Sequence, residues 1–226
     1  MKCTLSGEKL KMLSNDRDIL YDLHNYGANI DTREIFLHNY YSSDDNLNPG
    51  VEYRMSNTFI KNIRSLEIKS DKPITIHMQS VGGEWSDGMA IYDAIKMSRS
   101  FVTIIAYGQA ESMSSIILQA GDRRLITPNT HFMSHYGSTD SSGEYLSVQN
   151  WVRYEKHICD VMLDIYADSC VGGKYFKDKY GPKPDTEKVK SFLSRKLKSG
   201  DWYLNAENAV NYGFADEIID SWLKLA

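Results

Sequence analysis

The sequence predicts an α/β fold in which parallel strands alternate with helices around one sheet. The prediction rests on two successive units of strand, glycine turn and helix. In chain order the segments are a strand at 74–78, a turn at Gly82 and Gly83, a helix at 87–97, a strand at 102–106, a turn at Gly108 and a helix at 112–120. Such repetition is typical of βαβ sheets with right-handed crossovers, whose functional groups lie at turns beyond the strand ends.

The segments before the first unit are simpler. Residues 1–32 are polar with a weak helical pattern, and a short buried strand is predicted at 33–37. A loop at 42–50, rich in Ser, Asp, Asn, Pro and Gly, then leads into a helix. The apolar residues of that helix recur at helical spacing: Met55, Phe59, Ile63 and Leu66.

After the second unit, strand pieces are predicted at 125–126 and 132–133. One long helix follows from Leu146 to about Ala167, because its apolar positions recur every three or four residues. The polar, lysine-rich stretch at 172–200 contains two prolines and predicts a surface insertion.

Composition excludes several classes of protein. A chain of 226 residues with 42% hydrophobic content is long enough for one large α/β domain, and a single domain is the simpler interpretation. The net charge of −4 argues against a nucleic-acid or membrane-surface partner. Three cysteines at these spacings match neither a disulfide framework nor a metal site. With no signal-like apolar run, the chain is expected to be soluble and cytoplasmic.

Ser112 is the first candidate for chemistry. It follows a buried strand and opens a helix, where unpaired N–H groups and the helix dipole favour negative charge. A serine nucleophile also needs a base and a carboxylate that orients the base. Taken alone, Ser112 is better explained as an ordinary helix N-cap.

Three segments resemble one protein family. Residues 108–113, GQAESM, resemble the nucleophile motif G-Q-A-A-S-M of the Clp protease proteolytic subunit. Residues 128–135, PNTHFMSH, resemble P-N-S-R-x-M-I-H, which ends in that family's catalytic histidine. Residues 201–216 are similar to D-R-F-L-S-A-x-E-A-x-x-Y-G-L-x-D, whose first residue is the triad aspartate. The likeness covers about residues 33–220 and keeps the order and spacing of the motifs.

The resemblance implies a serine endopeptidase with Ser112 as nucleophile, His135 as general base and Asp201 as the residue that orients the histidine. An SVGG segment resembles the family's S-P-G-G turn. In that family, the second glycine of this turn and the residue after the nucleophile supply the two backbone N–H groups of the oxyanion hole. By position, the resemblance assigns these roles to Gly83 and Met113. No cofactor or metal is implied.

Other residues compete for these roles. His131 shares a face with His135 if the local strand alternates, although it replaces a family arginine. Ser114 and Ser115 lie further along the predicted helix, away from the turn. The rival carboxylates to Asp201 are Asp140, Asp168 and Asp185.

The resemblance also implies an architecture and partners. The fold is the ββα superhelix shared by Clp peptidases and crotonases, with an N-terminal extension at 1–32, a peptidase domain at 33–226 and a handle helix at 146–170. Assembly is expected to give a homo-oligomeric, heptameric ring that encloses the sites, either as a single ring or as a stacked pair. Substrates are polypeptides, and the partner is a Clp-type AAA+ unfoldase.

Departures from the family pattern keep alternatives open. Val81 replaces a proline before the glycine pair, Glu111 a small residue before the nucleophile, and Ser114 a glycine after it. The N-terminal region also does not resemble the family's axial-pore segment. Such divergence suits a viral or specialised copy, and the alternatives are an ATP-independent processing peptidase, a catalytically silent ring subunit and a crotonase-type acyl-CoA enzyme.

Overall fold

The computed structural model describes residues 18–37 and 50–221. Eight strands of this described part form one sheet. They are β1 (Ala28–Asn29), β2 (Glu34–Leu37), β3 (Ile74–Ser80), β4 (Val102–Glu111), β5 (Arg123–Ile126), β6 (His131–Ser134), β7 (Trp202–Leu204) and β8 (Glu217–Ile218). The helices are α1 (18–26), α2 (Tyr53–Lys69), α3 (Trp85–Lys96), α4 (Met113–Leu118), α5 (Tyr145–Cys170), α6 (Lys174–Tyr180), α7 (Thr186–Leu197) and α8 (Ala206–Tyr212).

The predicted parallel α/β sheet is confirmed. Strands β2, β3, β4, β5 and β8 are neighbours in that order, and all these pairs are parallel. Antiparallel pairing occurs at β1 with β2 and at β6 with β7. Helices α3 and α4 follow β3 and β4 as the two strand–turn–helix units predicted.

Strand β4 changes its partner halfway along its length. Its first half, Thr103 to Ala106, pairs with β5, whereas its second half, Gln109 to Glu111, pairs with β6. Gly108, at φ 55°, lies between the two halves. The carboxyl ends of β4 and β6 therefore lie side by side, and the next residues along each strand are brought together.

Helix α2 illustrates how the local sequence dictates the elements. Glu52 caps the helix, since its side chain accepts a hydrogen bond from Met55 N–H at 3.3 Å. The four apolar residues predicted to share one face are all buried in the core: Met55, Phe59, Ile63 and Leu66. The helix is held mainly by packing of this face against the sheet.

The stretch 172–200 was predicted to be a surface insertion, but several of its side chains belong to the hydrophobic core. It forms α6 and α7, and Phe176, Val189 and Leu193 are fully buried. The apolar residues are few but recur at helical spacing among the lysines, so one face of α7 packs on α5. Lys188 is exposed to solvent, whereas Lys190 forms an ion pair with Asp164 of α5. Whether this stretch is an insertion relative to the family stays a prediction.

The predicted extension 1–32 lies partly outside the described residues. Its described end includes β1, which pairs with β2 and so joins the sheet before the proposed boundary at residue 33. The boundaries 1–32 and 33–226 stay predictions. The handle helix predicted at 146–170 is α5, Tyr145–Cys170.

Candidate active site

Ser112 lies at the sharp turn between β4 and α4. Its backbone has φ 51° and ψ −124°, a left-handed conformation that non-glycine residues rarely adopt and that costs about 1–3 kcal/mol. The Ser112 N–H donates to the carbonyl of Met133 on β6 at 2.9 Å, which holds the turn against the neighbouring strand. The side chain is half-buried at the start of a helix.

His135 follows the last residue of β6 and contacts both predicted partners. Its Nε2 lies 2.8 Å from Ser112 Oγ, and its Nδ1 lies 3.1 Å from Asp201 Oδ1. Strands β6 and β7 pair Ser134 with Trp202, so His135 and Asp201 come next to each other at the open end of the pair. With Nδ1–H donating to the carboxylate, Nε2 is free to accept the serine proton.

The glycine pair packs directly against the nucleophile turn. A Cβ at Gly82, which has φ 93°, would lie 2.5 Å from the Cβ of Ser112 and 2.7 Å from Met113 N. Only glycine therefore fits there. An isolated β-bridge pairs Gly83 with Val51. Its two hydrogen bonds run from the Val51 N–H to the Gly82 carbonyl at 2.5 Å and from the Glu84 N–H to the Val51 carbonyl at 2.8 Å, so the Gly83 N–H takes no part in the bridge.

Both predicted oxyanion donors border the same cleft. Met113 is the first residue of α4, a position whose N–H has no acceptor within its own helix. Gly83, Ser112, Met113 and His135 all line a cleft of about 600 Å³. The cleft also has aromatic and acidic walls, formed by Glu84, Trp85, Tyr136, Asp140, Trp151, Tyr154 and Glu155.

The rival candidates lie elsewhere. His131 is exposed at the start of β6, and the structure pairs it with Gln109. Ser114 and Ser115 are both fully buried in α4, and Ser115 bonds to Tyr166. Neither serine reaches the cleft.

Among the rival carboxylates, Asp185 caps α7 by accepting from the Glu187 N–H at 3.0 Å. Asp168 lies on α5; burial is the main cause of the raised pKa of Tyr92, and the charges of Asp93 and Asp168 add to it. Asp140 lines the cleft, yet it is Asp201 that bonds to His135. The geometry thus brings together the three residues that the sequence motifs singled out.

Glu111, which replaces the family's small residue before the nucleophile, lies near His131 and His135. The pairing of Glu111 with Met133 puts it on the same sheet face as His131 and His135, two residues to either side. Partial burial raises the pKa of the Glu111 carboxyl, and the positive charges of His131 and His135 partly offset that rise. Glu111 therefore places a second carboxyl group near the imidazole of His135.

Sequence reasoning missed two contacts that frame the site. Tyr136, next to His135, donates from its hydroxyl to Ser194 Oγ at 3.0 Å and so ties the loop to α7. Tyr166 of α5 bonds to Ser115. Both partners are distant in sequence, and no local pattern indicates them.

No group of three or more His, Cys, Asp or Glu within residues 18–37 and 50–221 is arranged to hold a metal ion. In the same two ranges, no helix has the length and apolar character needed to cross a membrane.

A family model described as Clp protease matches residues 32–222. The chain belongs to the Clp protease family, a family of serine peptidases. The ATP-dependent Clp protease proteolytic subunit of Deinococcus radiodurans is 29% identical over 173 residues, which cover 75% of this chain and 76% of that protein. Subunit 2 of the same protease from Pseudomonas aeruginosa is 29% identical over 174 residues, covering 76% and 78%.

Solved structures give the same fold. A mutant ClpP1 from Listeria monocytogenes superposes with a TM-score of 0.66 at 22% identity, over 87% of this chain and 96% of that one. The predicted Clp peptidase fold and the predicted class of enzyme, a serine endopeptidase, are thereby confirmed. The family match favours this class over a crotonase-type enzyme.

The close approach of the glycine pair leads to a stability prediction. Gly82→Ala should lower the free energy of unfolding by about 2–5 kcal/mol, because the new Cβ meets both positive-φ strain and the nucleophile turn. Urea denaturation measures the change.

Gly181→Ala is the matched control, since Gly181 has φ 97° but no atom within 4 Å of the added Cβ. It should cost only the strain, about 1–2 kcal/mol. Equal losses in the two variants would contradict the close packing at Gly82.

Proposed function

We propose that this chain cleaves polypeptides in the cytoplasm with a triad of Ser112, His135 and Asp201. One observation carries the proposal: a continuous hydrogen-bonded chain runs from the Asp201 carboxylate through both nitrogens of His135 to the Ser112 hydroxyl. This is the order that nucleophilic catalysis by serine requires.

In the first step the Ser112 Oγ attacks the carbonyl carbon of the scissile peptide bond while His135 Nε2 takes the serine proton. The tetrahedral intermediate collapses when that proton passes to the leaving amine nitrogen, which leaves an acyl ester on Ser112. Water then attacks the ester while His135 Nε2 takes its proton. The second tetrahedral intermediate collapses by breaking the bond to Ser112 Oγ, His135 returns the proton to that oxygen, and the carboxylic acid product leaves. Asp201 holds the imidazole in the tautomer that this sequence needs.

The negative oxygen of the tetrahedral intermediate needs donors that are already in place. The N–H groups of Gly83 and Met113 are suited to this role, since both residues border the cleft beside Ser112. Met113 N–H also lies at the positive end of α4.

We further propose that the chain works as a ring-forming homo-oligomer with a chamber. Helix α5 supports this proposal because its first half exposes large apolar side chains: Tyr145, Leu146, Trp151, Val152 and Tyr154. Large apolar side chains exposed together along one helix segment are typical of a subunit interface. Relatives with the same fold are named as ATP-dependent proteolytic subunits. A heptameric ring, paired rings and a Clp-type AAA+ unfoldase are the specific form we propose.

The triad leads to a labelling prediction. A fluorophosphonate probe should modify Ser112, and Ser112→Ala should abolish both labelling and peptide hydrolysis, because loss of a triad residue costs several orders of magnitude in turnover. Peptide mapping by mass spectrometry locates the label. Ser114→Ala is the control and should keep both activities. A label found on another serine would contradict the assignment.

Glu111 leads to a prediction on pH dependence. A carboxylate near His135 favours the imidazolium form, and a protonated imidazole cannot accept the serine proton. Glu111→Gln removes that charge, so the acid limb of kcat/KM should move to lower pH. Glu111 shares its face of the sheet with His131 and His135 of β6 and, one strand further away, with Asp201 and Tyr203 of β7.

A pH series of kcat/KM on a short peptide measures the limb. Glu144→Gln, an exposed carboxyl ahead of α5, is the control and should leave the limb in place. An acid limb that stays fixed, or moves to higher pH, in Glu111→Gln would show that the Glu111 charge does not act on His135.

The exposed apolar side chains in the first half of α5 lead to a prediction on assembly. Light scattering should detect oligomers, and replacing Leu146 and Val152 together with glutamate should shift the protein to smaller species, because buried charge destabilises an apolar interface. Lys188→Glu, an exposed change on α7 away from the first half of α5, should leave assembly intact. A fully active monomer that cuts folded proteins as fast as short peptides would remove the chamber proposal.

A further inference from the structure

The carbonyl of Ser112 is held by an unusual pair of hydrogen bonds. Ser115 donates to it twice, from its backbone N–H at 3.0 Å and from its Oγ at 2.5 Å. The Ser115 side chain is fully buried, so water does not compete for its hydroxyl group. A local backbone contact is thus reinforced by a buried side chain.

A second buried hydroxyl completes the arrangement. The Tyr166 OH lies 2.6 Å from Ser115 Oγ, although Tyr166 is on α5 and is 51 residues away along the chain. The Ser112 carbonyl can only accept, so the single hydroxyl proton of Ser115 goes to it, and Tyr166 must donate to Ser115. Burial raises the pKa of the Tyr166 phenol, so this donor keeps its proton.

The carbonyl of Ser112 and the N–H of Met113 belong to the same peptide group. A peptide group is planar and trans, so its C=O and N–H point in opposite directions and rotate as one unit. Fixing the direction of the Ser112 carbonyl therefore fixes the direction of the Met113 N–H. A carbonyl that accepts hydrogen bonds also polarises its own N–H, which makes that N–H a stronger donor.

We propose that Ser115 and Tyr166 are positioning residues that aim the Met113 N–H at the oxyanion of the tetrahedral intermediate. The inference rests on the proposed serine chemistry and on the role of Met113 in it. Ser115 acts through the peptide group, Tyr166 acts through Ser115, and neither contacts the substrate.

The strained backbone of Ser112 explains why such an anchor is useful. At φ 51° and ψ −124° the peptide group after Ser112 is not held by intrinsic preference and can rotate towards a more favourable conformation. The Ser115 N–H bond alone resists that rotation weakly, because it belongs to the first turn of a six-residue helix. The buried hydroxyl pair adds a tie to α5, which lies outside the turn.

The test compares Ser115→Ala and Tyr166→Phe with the parent protein on a short peptide. Removing an oxyanion donor costs roughly 10²–10³-fold in kcat, so misdirecting one should cost less, about tenfold for Ser115→Ala and about threefold for Tyr166→Phe. KM and the acid limb of the pH profile should stay unchanged. Affinity for a peptide boronate, which forms a tetrahedral adduct on the serine, should fall in parallel with kcat.

Ser114→Ala is the matched control, because Ser114 is a buried serine of the same helix whose hydroxyl has no hydrogen-bond partner among the described residues. It should leave kcat unchanged. Ser115→Thr and Ser115→Val form a second pair with equal shape, of which only threonine keeps the hydroxyl, so threonine should retain more activity. Each rate is divided by the fraction of sites that the fluorophosphonate labels, which separates unfolding from misdirection.

The outcomes distinguish the inference from the function on which it rests. A parent protein that neither hydrolyses peptide nor labels at Ser112 would overturn the serine chemistry. An active parent with unchanged kcat per labelled site in Ser115→Ala would overturn the positioning role alone. The amide resonance of Met113 gives a readout without activity: it should shift between the parent protein and Tyr166→Phe, and an unchanged resonance would overturn the inference.

Discussion

The pairing between the second half of β4 and strand β6 is the contact on which the site depends. It brings the residue after each strand to the same edge, so that Ser112 and His135 meet although 23 positions separate them along the chain. The bond from the Ser112 N–H to the Met133 carbonyl extends this pairing into the turn itself. Strand β7 pairs with the other edge of β6, so the same sheet places Asp201 next to His135.

The turn at Ser112 stays strained because packing and hydrogen bonds together resist its relaxation. Gly82 packs against it on one side, and the residues of α4 below it are buried in the core. Several kcal/mol of apolar burial in α4 outweigh the about 1–3 kcal/mol cost of the backbone conformation. The strained conformation directs the Ser112 side chain towards the cleft and leaves the Met113 N–H at the edge of that cleft.

Local sequence patterns predicted much of this arrangement, and the rest depends on contacts that patterns do not encode. Strand alternation and glycine turns indicated the two strand–turn–helix units, and motif order picked out Ser112, His135 and Asp201. The hydroxyl contact of Tyr166 with Ser115 was out of reach, because a buried tyrosine in an apolar stripe is indistinguishable from ordinary core. The burial of Phe176 and Val189 was missed for the opposite reason: abundant lysines concealed a short apolar face.

The two carboxyl groups near His135 differ in what they can contribute. The Asp201 side chain is 52% exposed, so water screens its charge, and its hydrogen bond to Nδ1 acts mainly by fixing the tautomer and direction of the ring. Glu111 is partly buried, and that burial raises the pKa of its carboxyl group, while water screens its charge less than that of Asp201. In the proposed site, orientation therefore rests on a residue that matches the family motif, and the electrostatic effect that Glu111→Gln tests rests on one that departs from it.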